Sequence, residues 1–217
     1  MSKRQEKARY LITVLCAVFL AIFHISAALW TLPHGTIFRH VHLGMMLCIC
    51  AMRRPFLKKC PDSPINYIDF AYVAFLWFAI WYVCHDITAF STRTGSLTAM
   101  DVVVASIYIA LVFDIGRRLT GWIMTGLAFF FILQNLISDK LVGIFYGPPI
   151  SYKLLVDYLW MRNEGIFGMT VQTVSSYVVL FMIFAALLNE SGAGTFFIDL
   201  AQSATGTSRG GPAKQQL

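Results

Sequence analysis

The sequence predicts an all-α polytopic membrane protein with about six transmembrane helices and short interfacial helices. Three observations lead there. Of 217 residues, 58% are hydrophobic and 13% charged, against about 45–50% and about 25% in an average soluble domain; mean hydropathy is +0.67. The apolar residues fall into six runs, each near the roughly 20 residues that a helix needs to cross a hydrocarbon core of about 30 Å. The basic residues sit in short clusters between those runs, not along one face, so the net charge of +6 marks membrane topology and not a nucleic-acid surface.

The first run, about residues 10–32, follows Lys3, Arg4, Lys7 and Arg9. It is longer than a signal-peptide core of about 7–15 residues, so it is expected to stay as an anchor. The second, about 36–52, is weakened at its start by Arg39, His40 and His42. The third, fourth and fifth cover about 67–87, 97–115 and 121–137, and the sixth about 167–188. Between the fifth and sixth, Gly147-Pro148-Pro149 signals a turn. After it, Leu154, Leu155, Tyr158 and Leu159 recur at helical spacing, which predicts a short helix on the membrane surface with Tyr and Trp at headgroup level. Residues 189–194 break the sixth helix, and Phe196, Phe197, Leu200 and Ala201 predict a short amphipathic helix. Residues 206–217 read as a loop.

Orientation follows from the loop charges. With six crossings and a cytoplasmic N-terminus, only Arg39, Arg93, Lys140, Lys153 and Arg162 of the 17 Lys and Arg lie outside.

The ionisable groups inside or beside the runs are the functional candidates. Asp114 lies three and four residues before Arg117 and Arg118, so the three side chains meet on one helical face. The expected role is an ion pair that anchors the fourth helix. His40 and His42, two apart, diverge on a helix and sit near no Cys or carboxylate, so they are expected at the interface beside Arg39 and not around a metal. His85-Asp86 reads as a hydrated helix end, and His24 as a histidine satisfied by a neighbouring helix. The five cysteines, Cys16, Cys48, Cys50, Cys60 and Cys84, are odd in number and mostly inside apolar runs, so they read as packing residues. No nucleophile elbow, phosphate loop, zinc-protease or dinucleotide motif is present, and no enzyme activity and no resident metal or cofactor is expected.

Four stretches resemble the fused permeases of tripartite ATP-independent periplasmic (TRAP) transporters, in particular those partnered by TAXI-type binding proteins. They are residues 114–122, with Asp114, Arg117, Arg118, Gly121 and Trp122; 164–168, with Glu164, Gly165 and Gly168; 189–201, with Ser191, Gly192 and Gly194; and 209–214, with Gly210, Gly211 and Pro212. The family usually carries Glu where this chain has Asp114. The last three stretches fall in the family's order and near its spacing.

The resemblance implies an architecture and a mechanism. Residues 1–120 would be a four-helix module like the family's small subunit. Residues 121–165 would hold a connecting helix and a periplasmic interfacial segment, and 166–217 the start of the large transport subunit. Uptake of an organic anion, often a carboxylate, would be driven by an ion gradient, commonly sodium, after delivery by a periplasmic solute-binding protein. The substrate and ion sites would lie in the large subunit, beyond the residues given. Since the family continues past residue 214 into a further helix, the chain is expected to be a fragment unable to transport alone, partnered by the rest of the permease in a bacterial inner membrane. Two other functions fit the residues: a non-transporting membrane scaffold, and a haem protein using His24, His40 or His85.

Overall fold

The computed structural model describes residues 3–30, 33–57, 67–148 and 150–205. These form two compact units, residues 1–175 and 176–217. Cys60, Lys58, Lys59 and the fourth family-like stretch lie outside the described residues.

The first unit is built on four long helices: α1 (Lys3–Leu29), α2 (Gly35–Arg53), α3 (Ile68–His85) and α5 (Ala99–Thr120), with a short α4 (Ile87–Thr92) at the turn between α3 and α5. They run alternately up and down. The start of α1 (Arg9), the end of α2 (Met52), the start of α3 (Asp69) and the end of α5 (Arg118) are joined by hydrogen bonds at one end of the module. α2 lies against α1, α3 and α5, and therefore carries buried residues along its whole length, among them Met45, Cys48 and Ala51 at 0% exposure. α2 and α3 approach closely at Gly44, where an added Cβ would lie 2.7 Å from Ile80 Cδ1. Small residues allow such approaches between membrane helices. Elsewhere large apolar side chains, such as Leu15, Phe19 and Ile22 of α1, face outward, as lipid-facing positions do.

α5 runs five residues past the predicted end, because Arg117 and Arg118 continue the helix until Gly121, at φ +90°, turns the chain straight into α6 (Trp122–Leu136). A side chain is strained in that left-handed region, and glycine is not. Among the described residues five helices are long and apolar enough to cross a membrane; α6, the fifth predicted span, is not one of them, with 15 residues, or about 22 Å at 1.5 Å per residue. Yet the chain returns along α5 in this stretch. α6 starts beside Arg117, with that guanidinium 5.0 Å over the Trp122 ring. By residue 157 the chain has reached the opposite end of α5, where Asp157 accepts the Gly95 N–H at 2.9 Å. Two 3₁₀ turns, Ser138–Lys140 and Gly143–Phe145, complete the path.

The predicted surface helix is α7 (Tyr152–Val156) continued by a π turn, Asp157–Met161, and it presents a different face from the one expected. Val156, Asp157, Trp160 and Met161 are buried, while Leu154 and Tyr158 are 44% and 47% exposed. Trp160, expected among headgroups, is fully enclosed by His40, Tyr108 and Phe167, with centroids 5.1, 4.5 and 5.5 Å away. Burial of that large ring decides the orientation of the segment.

The sixth predicted span is α8 (Met169–Thr173), a π turn (Val174–Val178) and α9 (Val179–Glu190), a continuous helical stretch of 22 residues. In the second unit Gly192, at φ +75°, separates α9 from α10 (Ala193–Thr205), on which Phe196, Phe197 and Leu200 are exposed.

Candidate functional site

Where α1, α3 and α5 meet the end of α2, five charged side chains form a ladder of alternating sign. Asp114 is the first carboxylate. Its Oδ1 accepts from Arg117 Nε and Nη2 at 3.2 and 2.6 Å, and its Oδ2 accepts from Arg118 Nε at 2.7 Å. The i, i+3 and i, i+4 spacing on α5 brings the three together, as expected from the sequence. Arg118 reaches on through Nη1 to Asp69 Oδ1 at 2.6 Å and to the Arg54 carbonyl at 2.9 Å. Asp69 Oδ2 then accepts from Arg9 Nη2 at 2.6 Å and from the Phe56 N–H at 3.3 Å, and Arg9 Nη1 donates to the Met52 carbonyl at 3.2 Å.

Asp69 is 0%, Arg118 4% and Arg9 5% exposed. Charges so deep persist only when paired. The carbonyls of Met52 and Arg54 end α2, where orphan acceptors and the helix dipole favour cations. Aromatic faces complete the cage: Arg118 lies 5.1 and 5.2 Å from the Phe56 and Tyr72 ring centroids, and Arg9 lies 5.5 Å from Phe70. Among the described residues the ladder holds three arginines and two aspartates. Each carboxylate serves two guanidinium groups, so its chemistry is that of a clamp.

A second polar system lies at the opposite end. Thr98 and Asp101 form a capping box at the start of α5. Asp101 also accepts from Arg93 Nε and Nη2 at 2.9 and 3.0 Å and from the Tyr82 hydroxyl at 2.6 Å. The Asp101 carboxylate raises the Arg93 guanidinium above its ordinary pKa. Asp157 accepts from Arg162 Nε at 2.8 Å. Arg39, 7% exposed, is not the interfacial residue expected. Its Nη2 donates to Asn163 Oδ1 at 2.6 Å, its Nη1 to Gln172 Oε1 at 3.3 Å and its Nε to the Gly35 carbonyl at 3.1 Å. His40 and His42 are buried too, at 2% and 3%. They do diverge: His40 stacks on Phe167 at 3.6 Å, and His42 Nδ1 shares a hydrogen bond of 3.0 Å with His24 Nε2. Enclosure of His40 by the Phe90, Trp160 and Phe167 rings, and of His42 by α1, removes the water that the sequence reading assigned them. His85 and Asp86 are exposed as expected, and Asp86 caps α4 through the Ala89 N–H at 2.9 Å. Among the described residues no group of three or more His, Cys, Asp or Glu is placed to hold a metal ion.

The structure thus joins Asp114, Arg117 and Arg118 to one another, with Gly121 as the turn and Trp122 beneath Arg117. Gly165 and Gly168 form a separate element beyond the π turn. A Cβ on Gly165 would lie 2.3 Å from the Tyr158 carbonyl, and Gly168 begins α8. Glu164 is exposed. Ser191, Gly192 and Gly194 belong to the second unit, and Gly210, Gly211 and Pro212 lie outside the described residues. Sequence reasoning missed Asp69, Arg9 and Asp101. The first two pair across 60 residues, a separation that no local spacing reveals; the Thr98-x-x-Asp101 capping signature was available.

Against this geometry stand the comparisons with known proteins. The family model described as tripartite ATP-independent periplasmic transporter, DctM component, matches residues 107–217. The match begins inside α5 and takes in all four family-like stretches. No curated protein and no solved structure matches the chain.

Proposed function

The chain belongs to the tripartite ATP-independent periplasmic transporter family, DctM component, and from that premise we propose how its parts serve uptake. It is a membrane permease component. The solutes are organic anions, carboxylates above all, handed over by a periplasmic solute-binding protein of the TAXI type and driven by a sodium gradient. Residues 1–120 are the scaffold, 121–165 carry the chain back across the membrane, and 166–217 open the moving transport part. The observation that carries this reading is the match over residues 107–217, which starts within α5 and extends past α10.

The charge ladder supports the scaffold role. Its carboxylates are saturated by arginine, as suits a fixed frame against which another part moves. The chain sits in the bacterial inner membrane with its N-terminus in the cytoplasm. The alternating loop charges support that orientation, with the ladder at the cytoplasmic end. The fifth crossing is made by α6 together with the two 3₁₀ turns, since the chain passes from one end of α5 to the other between Trp122 and Asp157.

The test is sodium-driven uptake of radiolabelled carboxylates in cells with and without the gene for this chain. Uptake should disappear on deletion, return on complementation and require the binding protein. Uptake that survives deletion would refute the reading. The same saturated ladder also favours a second reading, a scaffold that docks to a permease made elsewhere. In that case the deletion would be rescued by the first unit alone, residues 1–175.

A further inference from the structure

Four rings meet in the first unit where the π turn Asp157–Met161 lies against α2 and α5. His40 comes from α2, Tyr108 from α5, Trp160 from the π turn and Phe167 from the chain just before α8. They are 2%, 1%, 0% and 1% exposed. Three of them carry a polar atom with no hydrogen-bond partner among the described residues: His40 Nε2, the Tyr108 hydroxyl and Trp160 Nε1. Buried polar atoms in folded proteins are nearly always bonded, so three such atoms in one ring cluster call for a shared partner.

The chemistry of the three atoms defines that partner. His40 Nδ1 lies 2.8 Å from the Thr36 carbonyl, which can only accept, so Nδ1 carries the ring's proton. Enclosure by Phe90, Trp160 and Phe167 keeps the imidazole uncharged, which leaves Nε2 an acceptor. The Trp160 indole can only donate, and the Tyr108 hydroxyl can do either. We propose that this cluster binds one internal water molecule, which donates to His40 Nε2 and accepts from the Trp160 N–H and the Tyr108 hydroxyl. Three bonds are the usual number for a buried water. A bare cation would face the indole proton, and an anion the His40 lone pair; water suits both. The span fits as well. The His40 and Tyr108 ring centroids lie 5.1 and 4.5 Å from that of Trp160, and two hydrogen bonds through one water reach about 5.5 Å. A source of water lies one residue layer away. Phe90, 5.7 Å from His40, and Met161, next to Trp160 in the chain, also line a polar pocket of about 410 Å³ with Thr36, Ser91, Thr94 and Asn163. The bound water joins α2, α5 and the π turn, so it fastens the segment that Trp160 orients. The proposal stands apart from the transport reading.

Two measurements on the full 217-residue chain in lipid nanodiscs test it. In nuclear magnetic resonance spectra of the ¹⁵N-labelled chain, the Trp160 indole proton, assigned through its own ring carbons, should cross-relax with water with the sign of a long-held molecule. The second is a test of sign. Tyr108→Phe removes one oxygen and keeps the ring. With the hydroxyl bonded to water, the thermal midpoint should fall by about 2–4 °C, the shift that one lost hydrogen bond gives in a chain of this size. A buried hydroxyl without a partner would do the reverse, because its removal relieves a desolvation cost and raises the midpoint. A midpoint unchanged or raised in Tyr108→Phe, or a Trp160 indole proton without water contact, would overturn the proposal.

Discussion

Asp69 is the side chain that ties α1, α3 and α5 together. It is 0% exposed and sits between Arg9 and Arg118, each at 2.6 Å, with the Phe56 N–H on the same oxygen as Arg9. Asp69→Asn keeps the volume and removes the charge. One oxygen becomes an NH₂ that points its protons at a guanidinium, and two arginines of 4% and 5% exposure lose their shared counter-ion. Charge-assisted hydrogen bonds contribute about 1.5–3 kcal/mol each, and removing one partner of a buried pair costs about 3–5 kcal/mol. The two routes agree on a loss near 4 kcal/mol, which few membrane modules of this size absorb without unfolding. Denaturant titration in mixed micelles, followed by tryptophan fluorescence, measures it. Asp139→Asn, in an exposed 3₁₀ turn, serves as the control and should stay within about 0.5 kcal/mol of the parent. In a double-mutant cycle, Asp69→Asn and Arg118→Gln should couple by at least about 1 kcal/mol, as residues in one network do. An Asp69→Asn loss no larger than that of Asp139→Asn would mean that water reaches the ladder and that it clamps nothing.

Other consequences follow from the same coordinates. At the opposite end, Asp101→Ala should cost about 1.5–3 kcal/mol by freeing Arg93 and Tyr82, and Thr98→Ala about 1 kcal/mol through the lost cap; thermal unfolding in detergent separates the two. Three glycine-to-alanine changes should rank by what the new methyl meets. Gly165→Ala drives it to 2.3 Å from the Tyr158 carbonyl, so backbone must move and the buried Trp160 should gain exposure to acrylamide quenching. Gly44→Ala meets only the flexible end of Ile80 and should cost about 1–3 kcal/mol. Gly116→Ala meets no described atom within 4 Å and should stabilise by up to about 1 kcal/mol. For orientation, an impermeant maleimide on intact cells should label Thr94→Cys and not Thr120→Cys, once the native cysteines are replaced; the reverse pattern would refute the cytoplasmic N-terminus.

What the sequence disclosed is what local physics controls. Apolar run lengths located the helices because each must satisfy its own backbone in lipid. The Asp114, Arg117 and Arg118 cluster was legible because three and four residues make one turn. The five-residue extension of α5 and the shortness of α6 were harder, since charged residues at an apolar run's end can belong to helix or loop; only Gly121 decides between them here. The inward face of the π turn was misread because the Leu154, Leu155, Tyr158 and Leu159 stripe has helical spacing, while burial of Trp160 outweighs it.

The deeper loss was the long-range pairing. Arg9 looked like a topogenic charge, Asp69 drew no reading and Arg39 looked like an interfacial residue; their partners are 60, 49, 124 and 133 residues away. One physical clue does join the first two. In an up-down bundle, a basic residue just before the first run, an acid at the start of the third and a basic pair at the end of the fourth all lie at one membrane level. Charges held at one level, where water runs out, must find each other or unfold the helices that carry them. Their shared level therefore predicts a belt of ion pairs at one end of the bundle. Here that belt is the ladder.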